Sequence, residues 1–333
     1  MLNFILCFIK LAKNSRKFFK NFGVFGQRKL KVAQYRYLFI VQAINKFRKY
    51  IQNYSFSRLP KNEIQVHQVM QNILSVQSLT KKYGDFSAVD GISFDVKAGS
   101  VFAFLGPNGA GKSTTIKMLT TVLRPTAGKI RINGHDALRE KDKARASFGI
   151  VFQDQSLDDE LTAYENMVYH AVIYRVPKKE REERIQDALK IVGLSDRQRE
   201  FVKNYSGGMK RRLEIARALV HYPKILFLDE PTVGLDPQTR YSIWEHIRHL
   251  KEEKDMTIFL TTHYMEEAES IADEIAIIDH GKIIESGSLE QINERNGTES
   301  LEEAFLKLTG RDIRDENDRG GGKMRFMRMR GRR

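Results

Sequence analysis

The sequence predicts an α/β fold built on a mostly parallel sheet, with an N-terminal antiparallel β subdomain and an inserted helical subdomain. Three observations carry that expectation. A glycine-rich stretch, Gly106 to Ser113, follows the apolar run Val101 to Leu105 directly and leads into a helical pattern. Two further apolar runs, Ile225 to Leu228 and Thr257 to Leu260, each end in polar residues and are separated by a helix from about Pro237 to Lys251, the pattern of parallel strands joined by a crossover helix. Between these regions, Thr162 to about Val192 has helical periodicity, and Pro177 divides it into one helix ending near Arg175 and another beginning near Lys179.

Charge divides the chain before any motif does. Of the formal +14, residues 1–69 carry +13, with Glu63 their single acid. The tail from Lys323 to Arg333 is basic throughout, so the stretch between is mildly acidic. Residues 1–69 are a basic, aromatic leader without a defended helix pattern, expected to be disordered or a mis-assigned start, Met70 then being the true one. Two other readings of the leader stay open. Its Lys and Arg with Phe and Tyr suit an anionic membrane surface, and they also suit nucleic acid, although no docking motif accompanies the charge and no nucleic-acid partner is expected. The main domain is placed at 70–310, its helical subdomain at about 154–205, and 311–333 is read as a flexible basic tail marked by Gly320 to Gly322.

With 41% hydrophobic residues the chain has material for a substantial core. The lone Cys7 cannot form an intramolecular disulfide and fits a reducing, cytoplasmic setting. No apolar run reaches the roughly 18 to 20 residues of a spanning helix: Met1 to Ile9 is too short, and Arg36 interrupts Tyr35 to Ile44. Any pore is therefore expected in another polypeptide. A cleaved secretory signal is not expected, because the lysines follow Met1 to Ile9 instead of preceding it.

From residue 73 onward, Ile73 to Leu79, Ile92 to Val96 and Val101 to Leu105 read as short antiparallel strands. The stretch Gly106-Pro107-Asn108-Gly109-Ala110-Gly111-Lys112-Ser113-Thr114 has the form G-x-x-x-x-G-K-S in the strand-to-helix context that a phosphate loop requires. Glycines let the backbone wrap an anion, and the helix beginning near Lys112 directs its positive end at it. Lys112 is placed to neutralise β and γ phosphates, and the Ser113 hydroxyl suits Mg²⁺, which needs few protein oxygens besides phosphate. A P-loop NTPase core is thus expected, taking a nucleoside triphosphate with Mg²⁺, and the resemblance drawn below implies that the nucleotide is ATP.

Asp229 ends the apolar strand Ile225 to Leu228, where a carboxylate can hold Mg²⁺ through water. Its neighbour Glu230, with Pro231 stopping the strand, is the better general base for orienting a hydrolytic water. Ser206 can cap a helix that begins at Gly207 and Gly208, and such a start offers N–H groups to a second anion site.

The run Asn204-Tyr205-Ser206-Gly207-Gly208-Met209-Lys210-Arg211-Arg212-Leu213 resembles the signature motif of ABC transporter ATPases. The resemblance spans residues 73 to about 290. It departs at Tyr205 and Met209, where the common signature has Leu and Gln, and the Tyr-Ser-Gly-Gly-Met form resembles the drug-resistance and nodulation-type exporter subgroup. The resemblance implies that Tyr83 stacks on adenine, that Gln153 touches Mg²⁺ or water and links the helical subdomain to the core, that Asp236 in Gly234-Leu235-Asp236 lies on a dimer interface, and that His263 senses the γ-phosphate. It further implies an ATPase working as a homodimer, or a heterodimer with a paralogue, each pocket pairing one copy's phosphate loop with Ser206, Gly207 and Gly208 of the other. A separate transmembrane permease and a peripheral position on the inner membrane face complete that expectation. The alternative is a soluble ATPase of the same family acting on the ribosome or a repair complex. Such proteins commonly carry two nucleotide domains or a long coiled coil, and this sequence has one phosphate loop with only about 90 residues before the signature.

Overall fold

Strands form where apolar and polar residues alternate, and in the computed structural model, which describes residues 72–310, they sort into two sheets. Strands β1 (Asn72–Tyr83) and β2 (Phe86–Lys97) form a hairpin, extended in the order β2-β1-β4-β5 by β4 (Ala127–Ile132) and β5 (His135–Asp136), all antiparallel. The second sheet runs β10-β9-β3-β8-β7-β6, made of β3 (Val101–Leu105), β6 (Phe148–Val151), β7 (Ile225–Asp229), β8 (Thr257–Thr262), β9 (Glu274–Asp279) and β10 (Lys282–Gly287). Its pairs are parallel except the β9–β10 hairpin at the edge. The leader at 1–69 and the tail at 311–333 lie outside the described residues.

One expectation is overturned. Val101 to Leu105 is not an antiparallel strand with Ile73 to Leu79 and Ile92 to Val96; it is β3, parallel to both β8 and β9. The physical sign is burial on both faces: all five of its residues are buried, as a strand covered on two sides demands.

Helices cover this second sheet. They are α1 (Lys112–Leu119), α2 (Lys141–Ala146), α3 (Ala163–Ile173), α4 (Lys178–Ile191), α5 (Gly207–Leu219), α6 (Pro237–Lys254), α7 (Met265–Ile271), α8 (Leu289–Asn296) and α9 (Leu301–Thr309). Local chemistry sets several of their starts. Thr162 and Glu165 form a reciprocal capping box on α3, Ser288 and Gln291 another on α8, and Asp236 caps α6 ahead of Pro237 in its first turn. The stretch from α3 through α4 to Ser206 holds two 3-10 turns, Ser195–Arg197 and Val202–Asn204. No helix among the described residues is long and apolar enough to cross a membrane.

Strand alternation sends each central strand into two cores. Ala103, Leu105, Leu226, Leu228, Ile258 and Leu260 face one cluster, completed by Leu213 and Ile215 of α5 and Ile243 and Ile247 of α6. Phe102, Phe104, Phe227 and Phe259 face the other, with Ile116 of α1 and the inner residues of the antiparallel sheet. Phe102 stacks on Phe259 with centroids 5.5 Å apart, and Phe94 of β2 stacks on Phe102 at 5.4 Å. This aromatic slab locks the two sheets together, so the C-terminal ends of β3, β7 and β8 form a fixed rim.

Candidate active site

That rim holds the glycine loop. Gly106 N–H donates to Thr262 O at the end of β8 (3.2 Å), and Ala110 N–H donates to Pro107 O (3.1 Å). Two glycines are demanded by close approach: a Cβ on Gly106 would lie 2.4 Å from Ile278 O, and one on Gly111 2.6 Å from Ala88 O. Gly111 also has φ 111°, a left-handed backbone. As the residue before α1 it supplies no side-chain cap, so the first N–H groups of the helix face the loop interior without an intrahelical partner.

Lys112, 4% exposed, bends back over the loop. Its Nζ donates to Gly106 O (2.7 Å) and Pro107 O (3.2 Å) and lies 3.1 Å from Glu230 Oε1. Burial lowers its pKa, against the opposing charge of Glu230. Glu230 sits one residue past β7 with φ 47°, a strained conformation for a non-glycine residue and one that clusters at functional sites. Its N–H donates to both Thr261 O and Thr261 Oγ1, each at 3.1 Å, and His263 Nδ1–H donates to Glu230 Oε2 (3.1 Å). Burial pushes the Glu230 carboxyl up, but the His263 hydrogen bond and the Lys112 charge outweigh it and hold the group below its ordinary value. Asp229, 2% exposed, accepts from Thr261 Oγ1 (2.6 Å), and burial raises its pKa. The parallel register that sets Asp229 opposite Thr261 thus lets one threonine tether both acids.

Tyr83, Asn108, Gly109, Gly111, Lys112, Ser113, Thr114, Gln153, Glu230 and His263 line one cleft of about 730 Å³. Gly106, Pro107, Ala110 and Asp229 do not line it; they belong to the loop and strand end beneath. Ser206, Gly207, Gly208 and Asp236 do not line it either. They form a second cluster, in which Ser206 Oγ accepts from Met209 N–H (3.3 Å) to cap α5 and Asp236 accepts from Thr239 N–H (2.9 Å) and Thr239 Oγ1 (2.6 Å) to cap α6. The two helix starts pack closely, since a Cβ on Gly208 would meet Thr239 Cγ2 at 2.3 Å.

Five cleft residues were not among the expected site residues: Phe86, Ala88, Val233 and Tyr264, and Gly234, which the resemblance places only beside a dimer interface. Phe86 was within reach, because it follows Tyr83 across a two-residue turn and pairs with it in the hairpin. Both rings are exposed at the cleft mouth, and Lys81 Nζ lies 5.1 Å from the Tyr83 centroid. Thr261 carried no sequence signal, since its function depends on a strand distant in the chain.

Chemically, the cleft offers backbone donors and a lysine for phosphate oxygens, aromatic faces for a flat ring, and a buried carboxylate for a water. Comparison with known proteins identifies the family. The family model described as "ABC transporter" matches residues 89–233. The daunorubicin/doxorubicin resistance ATP-binding protein of Streptomyces peucetius is 42% identical over 246 residues, covering 74% of this chain and 73% of that protein. The Nod factor export ATP-binding protein I of Ralstonia nicotianae is 43% identical over 215 residues, covering 65% and 67%. Among solved structures, a dimeric ATP-binding cassette in a post-hydrolysis state with ADP and Pi superposes with a TM-score of 0.58 at 29% identity, covering 65% of this chain and 98% of that one.

Proposed function

Because this chain belongs to the ABC transporter family, as one of its ATP-binding and ATP-hydrolysing proteins, we propose that two copies, or one copy and a paralogue, close around two ATP molecules to drive a separate transmembrane permease. The observation that carries this reading is the separation of two helix starts. One, at Lys112, lies in a cleft with an acid and a histidine; the other, at Gly207, lies outside that cleft on the same chain. A second detail supports it. A Cβ on Gly207 would meet only Leu235 Cδ2, at an ordinary 3.8 Å, and Gly207 is absent from the left-handed region. Nothing among the described residues requires glycine there, whereas the close approach of a partner's γ-phosphate would.

In this reading the loop N–H groups and Lys112 grip the β and γ phosphates, and Tyr83 stacks on the base without reading its edge. Glu230 orients and deprotonates the attacking water, while His263 holds the Glu230 carboxylate in place and senses the terminal phosphate. Ser113, Gln153 and Asp229 suit Mg²⁺ as a small set of oxygen donors at a phosphate loop, and the ion would supply neutralisation of phosphate charge. Ser206, Gly207 and Gly208 reach the partner's nucleotide, with Asp236 beside them at the interface. Opening and closing then move the permease, with Gln153 next to its docking site. The names of the relatives support an export role, with the chain peripheral on the inner face of the membrane.

The test is Glu230→Gln studied with saturating Mg·ATP by light scattering and phosphate release. A stable dimer with hydrolysis nearly abolished is expected. Hydrolysis at the wild-type rate overturns the base assignment, and a strictly monomeric variant overturns closure around ATP.

A further inference from the structure

The signature stretch contains an arginine that the proposed mechanism leaves unused. Arg211 lies on α5, one turn beyond the glycines, and only 7% of it is exposed. A buried guanidinium is costly unless every donor is met, and here each arm is. Nε donates to Pro231 O (2.8 Å); Nη1 donates to Phe152 O and to Glu214 Oε2 (3.1 Å); Nη2 donates to Glu230 O (3.1 Å) and more loosely to Asp229 O (3.5 Å). Apart from the Glu214 carboxylate, the acceptors are backbone carbonyls of the turn that carries Glu230 and of the residue before Gln153.

The same helix continues the grip. Glu214, 2% exposed, accepts from Ser156 N–H (2.9 Å), and Arg217 donates to Ser156 O (2.7 Å). Residues 211, 214 and 217 therefore hold both ends of the segment from Phe152 to Ser156, with Gln153 between them.

We propose that Arg211 is a positioning residue for hydrolysis: its planar fork fixes the left-handed turn at Glu230 and the start of the Gln153 loop, and so couples the start of α5 to the catalytic carboxylate of the same chain. The proposal rests on the reading of Glu230 as general base. The φ of 47° at Glu230 gives it physical content, because a non-glycine residue holds that conformation only when its surroundings over-determine it. Two opposed sets of hydrogen bonds do so here, Thr261 on the N–H and Arg211 on the carbonyls of residues 229 to 231. Lysine, a point charge on a flexible stem, cannot span these acceptors.

The experiment compares Arg211→Lys and Arg211→Gln with the wild type and with Glu230→Gln, measuring kcat and KM for Mg·ATP, equilibrium binding of a fluorescent ATP analogue, and thermal unfolding. Both variants are expected to lose about 100-fold in kcat, the scale of a small misplacement of a catalytic group, with analogue binding within about threefold of wild type. In the Glu230→Gln background, the Arg211→Lys substitution is expected to cause no further loss of residual hydrolysis, since two residues acting as one unit are non-additive. An Arg211→Lys enzyme with wild-type kcat overturns the proposal, as does an equal additional loss in the Glu230→Gln background. So does an Arg211→Lys protein that loses analogue binding and thermal stability together. If Glu230→Gln alone hydrolyses ATP normally, it is the base assignment that fails.

Discussion

The helix starts at Lys112 and Gly207 both use glycine, yet the two are built differently. At the first, the chain itself excludes side chains: a Cβ on Gly106 or Gly111 would lie 2.4 or 2.6 Å from a backbone oxygen, and the helix end is left without a side-chain cap. At the second, Ser206 caps the helix, and Gly207 has room for a methyl group. The difference teaches that close packing within the chain accounts for glycine at 106 and 111, whereas packing among the described residues does not account for it at 207.

Substitutions can break or sharpen that contrast, beginning with the strongest. Gly106→Ala forces a Cβ against Ile278 O and is expected to cost roughly 3 kcal/mol or more of stability, because backbone must shift; urea unfolding measures it, and a loss below about 1 kcal/mol would remove the packing argument for the cradle. Gly207→Ala should leave the urea midpoint close to wild type while lowering ATPase activity about 100-fold, the order seen when transition-state contacts to a phosphate are lost. An equally stable variant with normal turnover would sink the idea that 207 meets a partner's nucleotide.

Acid separates the regions next, because of a pair of half-buried histidines, His170 of α3 and His221 just beyond the end of α5. Tyr174 stacks on His221 at 4.0 Å and lies tilted against His170 at 4.6 Å. Burial lowers the pKa of His170 to about 3, helped by Arg217 and His221, and that of His221 to about 4, helped by Arg184 but opposed by its bond to Phe148 O. The unfolded chain takes up these protons below about pH 6.5 and the folded chain refuses them. Stability is therefore full above that pH and falls as pH drops toward the folded values, by up to about 1.4 kcal/mol per unit for each histidine. Asp229 and Glu267, whose pKa values burial raises, act with the opposite sign. Urea midpoints at pH 7 and pH 5.5 for wild type and a His170→Gln/His221→Gln variant isolate the effect: the variant should show a flatter acid limb, and identical limbs would refute it. The smallest change is Ser206→Ala, expected to cost about 1 kcal/mol through loss of the α5 cap, measured in the same way.

Local features were readable from sequence where the chemistry is itself local. The run from Gly106 to Thr114, the acids after Ile225 to Leu228 and the serine before Gly207 each sit within a few residues of the element they begin or end. Position in a sheet is a different matter. Val101 to Leu105 follows a hairpin by only a short link, and its apolar run does not say which strand it pairs with; its place between β8 and β9, with a core on each face, follows from elements distant in the chain. Thr261, Arg211 and Glu214 were silent for the same reason: each acts on a backbone group from 18 to 59 residues away, and no spacing rule in the chain encodes such pairings.

In the proposed mechanism, the ion pair between Lys112 and Glu230 would give the cleft a safety catch. While the lysine leans on the carboxylate, that acid would be engaged and poorly placed to activate stray solvent. A triphosphate entering the loop would compete for the same ammonium group with more negative charge than one carboxylate can offer, so the fuel itself would release the trigger, and the machine would be armed only when loaded.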